Sequence, residues 1–181
     1  MYIFSWMILS FYSAVDCVEI DPGSRFTLAL LYKFGGIYID TDIIVLKSFS
    51  KLRYVIGAQT IDLETGNWSR LNNAVLIFDK NHPLLYKFIE EFALTFDGNK
   101  WGHNCPYLVS RVVSRLGRRP GFNFTVLPPS AFYPLRQIQS RSLAVHLWNR
   151  QSRNLEVEKG SIISHIESDC CIFCSSALSS L

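Results

Sequence analysis

Apolar residues fall at helical spacing in some stretches of the chain and run together in others, and the boundaries between the two regimes predict its elements. From Arg25 to Phe34, Leu28, Leu31 and Tyr32 share one helical face while Lys33 stays in water. Gly35 is a natural left-handed stop for that helix, and Gly36 lets the backbone turn into a short strand, Ile37-Tyr38-Ile39. Ile43–Leu46, Tyr54–Ala58, Asn72–Phe78, Phe124–Leu127 and Leu143–Leu147 read as further strands, of the buried kind that shows apolar runs. His82-Pro83 opens a second helix, Leu84–Phe96, whose stripe is Leu84, Leu85, Phe88, Ile89, Phe92 and Phe96, with Lys87, Glu90 and Glu91 outside. A third, Cys105–Leu116, buries Leu108, Val109, Val112, Val113 and Leu116 and stops at Gly117. Asp16–Ser24, with Pro22-Gly23 at its turn, and polar Thr60–Arg70 read as loops, Pro128-Pro129 as a rigid loop, and Gly160–Asp169 as a last short helix. Strands alternating with helices predict an α/β fold with a mostly parallel sheet, in which ligands sit beyond the carboxyl ends of the strands.

Asp40-Thr41-Asp42 lies at such an end. If the strand continues, Asp40 and Asp42 point the same way with Thr41 opposite. Two neighbouring carboxylates after an apolar run are costly to leave unpaired. A hard divalent cation neutralises them, taking its other ligands from phosphate and water. The bland alternative is a hydrated acidic turn, since a bare Asp-x-Asp is common; the glycine pair and the strands on each side favour the cation. His146, in the apolar run LAVHLW, suits a hydrogen-bonded core position, yet two aspartates leave a divalent ion short of protein ligands and imidazole is acceptable to Mn2+.

Composition narrows the classes. With 181 residues, 49% of them hydrophobic, one sizeable core and one domain are expected. The net charge of +3 comes from scattered Lys and Arg without a basic stripe, so nucleic acid is not an expected partner. Residues 1–15 carry no charge but are shorter than the ~20 residues that span a bilayer. They leave open a signal or anchor, a buried element, or an incorrect gene model. Cys17, Cys105, Cys170, Cys171 and Cys174 are odd in number, and Cys171 and Cys174 lack a second pair at zinc spacing. Asn67-Trp68-Ser69 and Asn123-Phe124-Thr125 are N-glycosylation acceptor patterns, which point to the secretory pathway.

The run LLYKFGGIYIDTDIIVLKSF resembles the DXD core of the α-1,4-glycosyltransferases. Further segments are similar to motifs of that family, in the same order: Leu71-Asn72-Asn73-Ala74, Trp101-Gly102-His103-Asn104-Cys105-Pro106, Leu127-Pro128-Pro129-Ser130-Ala131-Phe132-Tyr133-Pro134 and Val145-His146-Leu147-Trp148-Asn149. The resemblance implies a GT-A-like, Rossmann-related fold. It implies Mn2+ (or Mg2+) held by Asp40, Asp42 and His146 against the diphosphate of a UDP-sugar donor. Tyr38, Thr41, Asn72 and Asn73 would bind the donor, and Trp101, His103, Asn104, Tyr133 and Trp148 would contact acceptor or donor. The implied reaction moves galactose or N-acetylglucosamine to a glycan or glycolipid acceptor, with retention and an α-1,4 linkage. The implied setting is the lumenal side of the Golgi membrane, with the full-length form membrane-anchored.

Each residue also has an ordinary role open to it. Asn72 and Asn73 can meet sugar hydroxyls or bond their own backbone. His103 and Asn104 precede a helix start that favours an oxyanion, and Asn104 by default caps the helix. Trp101, Tyr133 and Trp148 offer flat faces to sugars or to the core. No carboxylate stands out as a nucleophile among Asp62, Glu64, Asp79 and Asp97, so attack on the face of departure is expected.

The chain departs from the family pattern in two places. Gly23, Ser24 and Thr27 occupy the positions where relatives carry Ser-Asp and Arg, although Arg25 is near, and the DXD arrives at residue 40. The expectation is an uncertain segment, 1–24, before a catalytic region, 25–181, with the nucleotide-binding half incomplete at its amino end. The alternatives are an inactive truncated pseudo-transferase and a phosphatase of the haloacid-dehalogenase type, which also places D-x-D after an apolar strand.

Overall fold

The computed structural model describes residues 22–100, 102–117, 119–134, 138–148, 152, 154–161 and 163–165. The chain forms two compact units, residues 1–148 and 149–181. In the second, the described residues form turns that end in helical residues 163–165, where the His165 N–H donates to Ser161 O at 3.0 Å.

In the first unit, helix α1 (Pro22–Phe34) leads to strands β1 (Gly36–Ile39) and β2 (Ile43–Val45) and then to the hairpin β3 (Val55–Ile61) and β4 (Trp68–Phe78). Helices α2 (Pro83–Thr95) and α3 (Pro106–Leu116) follow, then β5 (Thr125–Leu127), α4 (Pro129–Phe132) and β6 (Ala144–His146). Pro22, expected in a loop, instead opens α1, where a first-turn proline sacrifices no helical hydrogen bond. Pro128-Pro129, expected as a rigid loop, leads into α4.

The sheet has the order β1-β4-β3-β5, and β2 pairs with β6 apart from it. The sheet is not mostly parallel: among the described residues, β1–β4, β3–β4 and β2–β6 are antiparallel and only β3–β5 is parallel. Thr60, Ile61 and residues 68–70, expected in the loop, are strand instead, leaving a tight connection of residues 62–67, and so short a link can only reverse the chain. The long return through α2 and α3 is what lets β5 lie parallel to β3.

The strands bury opposite faces in alternation. Leu76 and Phe78 of β4 join Ile56 of β3 against Leu28 and Leu31 of α1, Leu85 and Phe88 of α2, and Val109 and Val112 of α3. Val75 and Ile77 face the other side, with Val55, Phe132, Tyr133 and Ala144. Gly35, in the left-handed region at φ 68°, joins α1 to β1 where a Cβ would stand 2.4 Å from the Lys80 backbone nitrogen. That close approach lets the Asn81 N–H donate to Tyr32 O in the last turn of α1 at 2.7 Å.

β4 is interrupted on its β3 side. Ile56 stands opposite Leu76, but the next residue, Gly57, stands opposite Asn72, so Asn73, Ala74 and Val75 bow away from β3. The Asn72 side chain holds this bulge, accepting from the Ala74 N–H at 2.9 Å and donating to Gln59 Oε1 at 3.2 Å. The ring of Tyr133 packs against Gly57, where a Cβ would lie 2.6 Å from its Cε2.

Candidate functional site

β1 ends at Ile39, but the Asp40 N–H adds one more link by donating to Ala74 O at 2.9 Å. The chain then turns, with the Ile43 N–H donating to Asp40 O at 3.2 Å. Asp40 and Asp42 therefore converge through a turn, where the sequence pattern expects strand alternation. The chain leaves as β2, which pairs with β6 so that Ile43 faces His146, and the Leu147 N–H donates to Asp42 O at 2.8 Å. This pairing delivers a histidine from a distant segment to the turn. One ligating atom each from Asp40, Asp42 and His146 lie within 4.8 Å of one another.

The donor set suits a hard divalent cation. Ligands on opposite sides of such an ion stand roughly 4.2 Å apart with bonds of about 2.1 Å, so the three atoms need to close up only slightly. The local charge favours the same occupant. Asp40 is half-buried, and removal from water pushes its carboxyl up to about 6; the neighbouring Asp42 charge adds to this, while the Tyr38 hydroxyl, donating to Asp40 Oδ1 at 2.5 Å, opposes it. At neutral pH Asp40 is an ionised carboxylate in surroundings that disfavour its charge.

His146 is held on its other side. Its Nδ1 accepts from the Trp148 N–H at 2.9 Å, so the neutral ring carries its proton on Nε2, which faces Asp42 Oδ1 at 3.5 Å. Burial lowers the pKa of the ring against the pull of Asp42, which keeps it neutral at physiological pH. Trp148 adopts φ 55°, the left-handed conformation that curls its amide back to His146, and the two rings lie against each other tilted by 44°, with centroids 4.3 Å apart. Ligation through Nε2 requires the other neutral tautomer, with the proton on Nδ1 and the hydrogen bond from the Trp148 N–H given up.

The other expected residues divide by accessibility. Thr41 is exposed on the turn. Asn73 is half-buried and borders, with Tyr38 and Asn104, a cleft of about 30 Å³, room for about two waters. Asn72 is buried in the bulge that it holds. His103 bonds Thr95 O through Nε2 at 2.8 Å, and the Arg111 guanidinium donates to His103 O at 3.0 Å.

Asn104 does not cap α3, whose N-cap is Cys105; it is buried and clamps the preceding loop, donating to Asp97 O at 2.9 Å and accepting from the Asp97 N–H at 3.1 Å. Arg111 is fixed in turn by Glu91, which is buried on α2 and also bonded by Arg115. His103 and Asn104 thus anchor their turn to α2 and to the loop before it. Tyr133 has no exposed surface, so its ring faces the core and offers no flat face to a sugar; Trp148 is half-buried, and Trp101 lies outside the described residues.

Two roles went beyond those the sequence assigned, one of them that of Tyr38, expected only as a donor contact. Tyr38 partners Asp40 directly, and its signal was the i, i+2 spacing that puts both on one side of β1. Gly57 makes room for Tyr133, and a glycine within a strand is the mark of such a close approach.

Comparison with known proteins names the class. Residues 77–178 match the family described as alpha 1,4-glycosyltransferase conserved region, and residues 24–61 match the glycosyltransferase sugar-binding region containing DXD motif. The chain belongs to the α-1,4-glycosyltransferase family. It is 35% identical to lactosylceramide 4-alpha-galactosyltransferase of Rattus norvegicus, over 74% of this chain and 42% of the relative. It is 33% identical to the protein of the same name from Pongo pygmaeus, over 74% of this chain and 69% of the relative. Alpha-1,4-N-acetylglucosaminyltransferase of Homo sapiens is 26% identical over 70% of this chain and 42% of its own length. The chain thus spans about two fifths of the length of the first of these relatives.

Proposed function

We propose that this protein transfers a hexose, galactose or N-acetylglucosamine, from a UDP-sugar to a glycan or glycolipid acceptor, with retention and an α-1,4 linkage. Residues 25–181 form its catalytic region, and Asp40, Asp42 and His146 hold Mn2+ or Mg2+. The observation that carries this reading is the convergence within 4.8 Å of two aspartates from the turn after β1 and a histidine from β6. Relatives named for galactosyl and N-acetylglucosaminyl transfer support the choice of sugars, and family membership sets aside the phosphatase alternative.

The cation, when bound, offsets the negative charge that builds on the departing diphosphate. Tyr38 orients Asp40 through its hydroxyl. Thr41, which is exposed, and Asn73, which is half-buried, bind the donor, and half-buried Trp148 contacts donor or acceptor. Attack on the face of departure fits the state of the other carboxylates. Asp62 accepts from the backbone of Glu64 and Thr65, Asp79 pairs with Arg53 and Tyr54, and Asp97 pairs with Lys100.

The Golgi lumen is the setting this chemistry implies, and both glycosylation-pattern asparagines, Asn67 and Asn123, are exposed as that setting requires. Among the described residues no helix is long and apolar enough to cross a membrane. Titration of the 181-residue chain with UDP, followed by tryptophan fluorescence, tests the reading. UDP should bind only with Mn2+ present. Equal binding in EDTA, or Mg2+-dependent hydrolysis of a simple phosphate ester, would refute it.

A further inference from the structure

Tyr133 is fully buried, and among the described residues its hydroxyl is the one buried side-chain polar atom without a hydrogen-bond partner. The Val75 backbone N–H, in the bulge of β4, faces this oxygen outside hydrogen-bonding geometry. A backbone N–H only supplies a proton, so even a closer approach would leave the proton of the phenol without an acceptor. A buried hydroxyl in that condition is costly, and a phenylalanine at the same place would avoid the cost.

The charges around the hydroxyl are those of acceptors. Burial first, and then the charges of Asp40 and Asp42, hold the phenol above its ordinary pKa, so it keeps its proton and lies in the field of both carboxylates. Two further features fix its position. Gly57 has no side chain where a Cβ would meet the ring and would lie 3.1 Å from the hydroxyl. The rings of His146 and Trp148 border Tyr133 at centroid distances of 5.8 and 6.0 Å. The phenol thus borders the ring of the candidate site's histidine and feels the charge of both aspartates, while nothing among the described residues bonds its hydroxyl.

We propose that Tyr133 is a positioning residue for the metal centre, whose hydroxyl donates to the Asp40 carboxylate in the cation-loaded protein and, with Tyr38, holds that carboxylate in its ligating orientation. The inference rests on the assignment of Asp40, Asp42 and His146 as the cation site. It adds a role for a residue whose ring is closed to substrate. Ligating carboxylates are themselves hydrogen-bonded in well-formed metal sites, and loss of such an outer partner typically weakens binding 10–100-fold.

The experiment compares Tyr133→Phe with the wild type in the full chain, measuring Mn2+ affinity by electron paramagnetic resonance of the free ion and stability by urea unfolding in EDTA. Phe keeps the ring and its packing, so the metal-free variant should be at least as stable as the wild type, while its Mn2+ affinity falls about tenfold. A purely structural hydroxyl would lower metal-free stability and leave affinity alone. Unchanged Mn2+ affinity in Tyr133→Phe, or a metal-free variant less stable than the wild type, overturns the proposal. Asp40→Asn separates this from failure of the underlying site: if the wild type binds no Mn2+, or Asp40→Asn binds as well as the wild type, the site and the proposal fall together. If Asp40→Asn loses the metal and Tyr133→Phe does not, only the role of Tyr133 falls.

Discussion

Replacing Asp40 by asparagine should make the metal-free protein more stable, although it removes a residue the reaction is expected to need. In the fold the Asp40 carboxyl is raised from its ordinary 3.8 to about 6, chiefly by burial. Ionising it therefore costs about 3 kcal/mol more in the folded protein than in the unfolded chain. The sign follows from proton binding. Between the two pKa values the folded state holds more protons than the unfolded one, so this group's contribution falls as pH rises from about 4 to about 6 and stays low above that. Asparagine has no charge to bury, and its Oδ1 can still accept from the Tyr38 hydroxyl. At pH 7.5 in EDTA, Asp40→Asn should gain about 2–3 kcal/mol, a shift of roughly 1 M or more in the urea midpoint. The gain should fade as the pH is lowered to about 4. Mn2+ at a hundred times its Kd should close the gap, since it stabilises the wild type by about 2.7 kcal/mol and the variant has lost a donor. A variant no more stable than the wild type in EDTA at pH 7.5, or a gap that persists at pH 4, would refute the reasoning.

Other perturbations reach the frame around the site. Glu91→Ala should destabilise by about 2–4 kcal/mol in urea unfolding, because Arg111 and Arg115 lose the buried carboxylate that pairs them. Burial pushes Glu91 up, but hydrogen bonds from Arg115 and Arg111 outweigh it and hold the carboxyl below its ordinary range. Its contribution is therefore present at neutral pH and disappears on acidification below about pH 4.5, a loss the Ala variant should not show. Gly57→Ala would place a Cβ 2.6 Å from Tyr133 Cε2 and 2.8 Å from Phe132 Cδ2, and should cost about 1–3 kcal/mol in the same assay. By displacing Tyr133 it should also reduce the stabilisation that Mn2+ confers.

The parts of this structure legible in the sequence are those written locally. The stripe of Leu84, Leu85, Phe88 and Phe92 marks α2, and Gly117, at φ 58°, ends α3 where the pattern places its stop. Strand direction is a different kind of property, since nothing in the apolar run Asn72–Phe78 says which neighbour it will choose. The whole run from Thr60 to Arg70 looks like a loop because its strand residues, Thr60, Ile61 and residues 68–70, lie at the largely exposed ends of β3 and β4 on either side of the true connection. The antiparallel hairpin was hidden for that reason, and with it the bulge that takes up Asn72.

The candidate site shows the same division between local and long-range information. Asp40 and Asp42 are neighbours by sequence and converge whether the backbone alternates or turns, so their pairing was legible even though the expected geometry was not the observed one. His146 converges with them only because β2 and β6 pair across a long stretch of chain, and a lone histidine in an apolar strand carries no sign of that. Tyr133 depends on still more: a missing side chain at Gly57, a bulge held by a buried amide, and the ring of His146 beside it. Groups fixed by so many separate constraints are hard to read from sequence, and their strict placement is also the reason that removing one oxygen atom there should be felt at the cation.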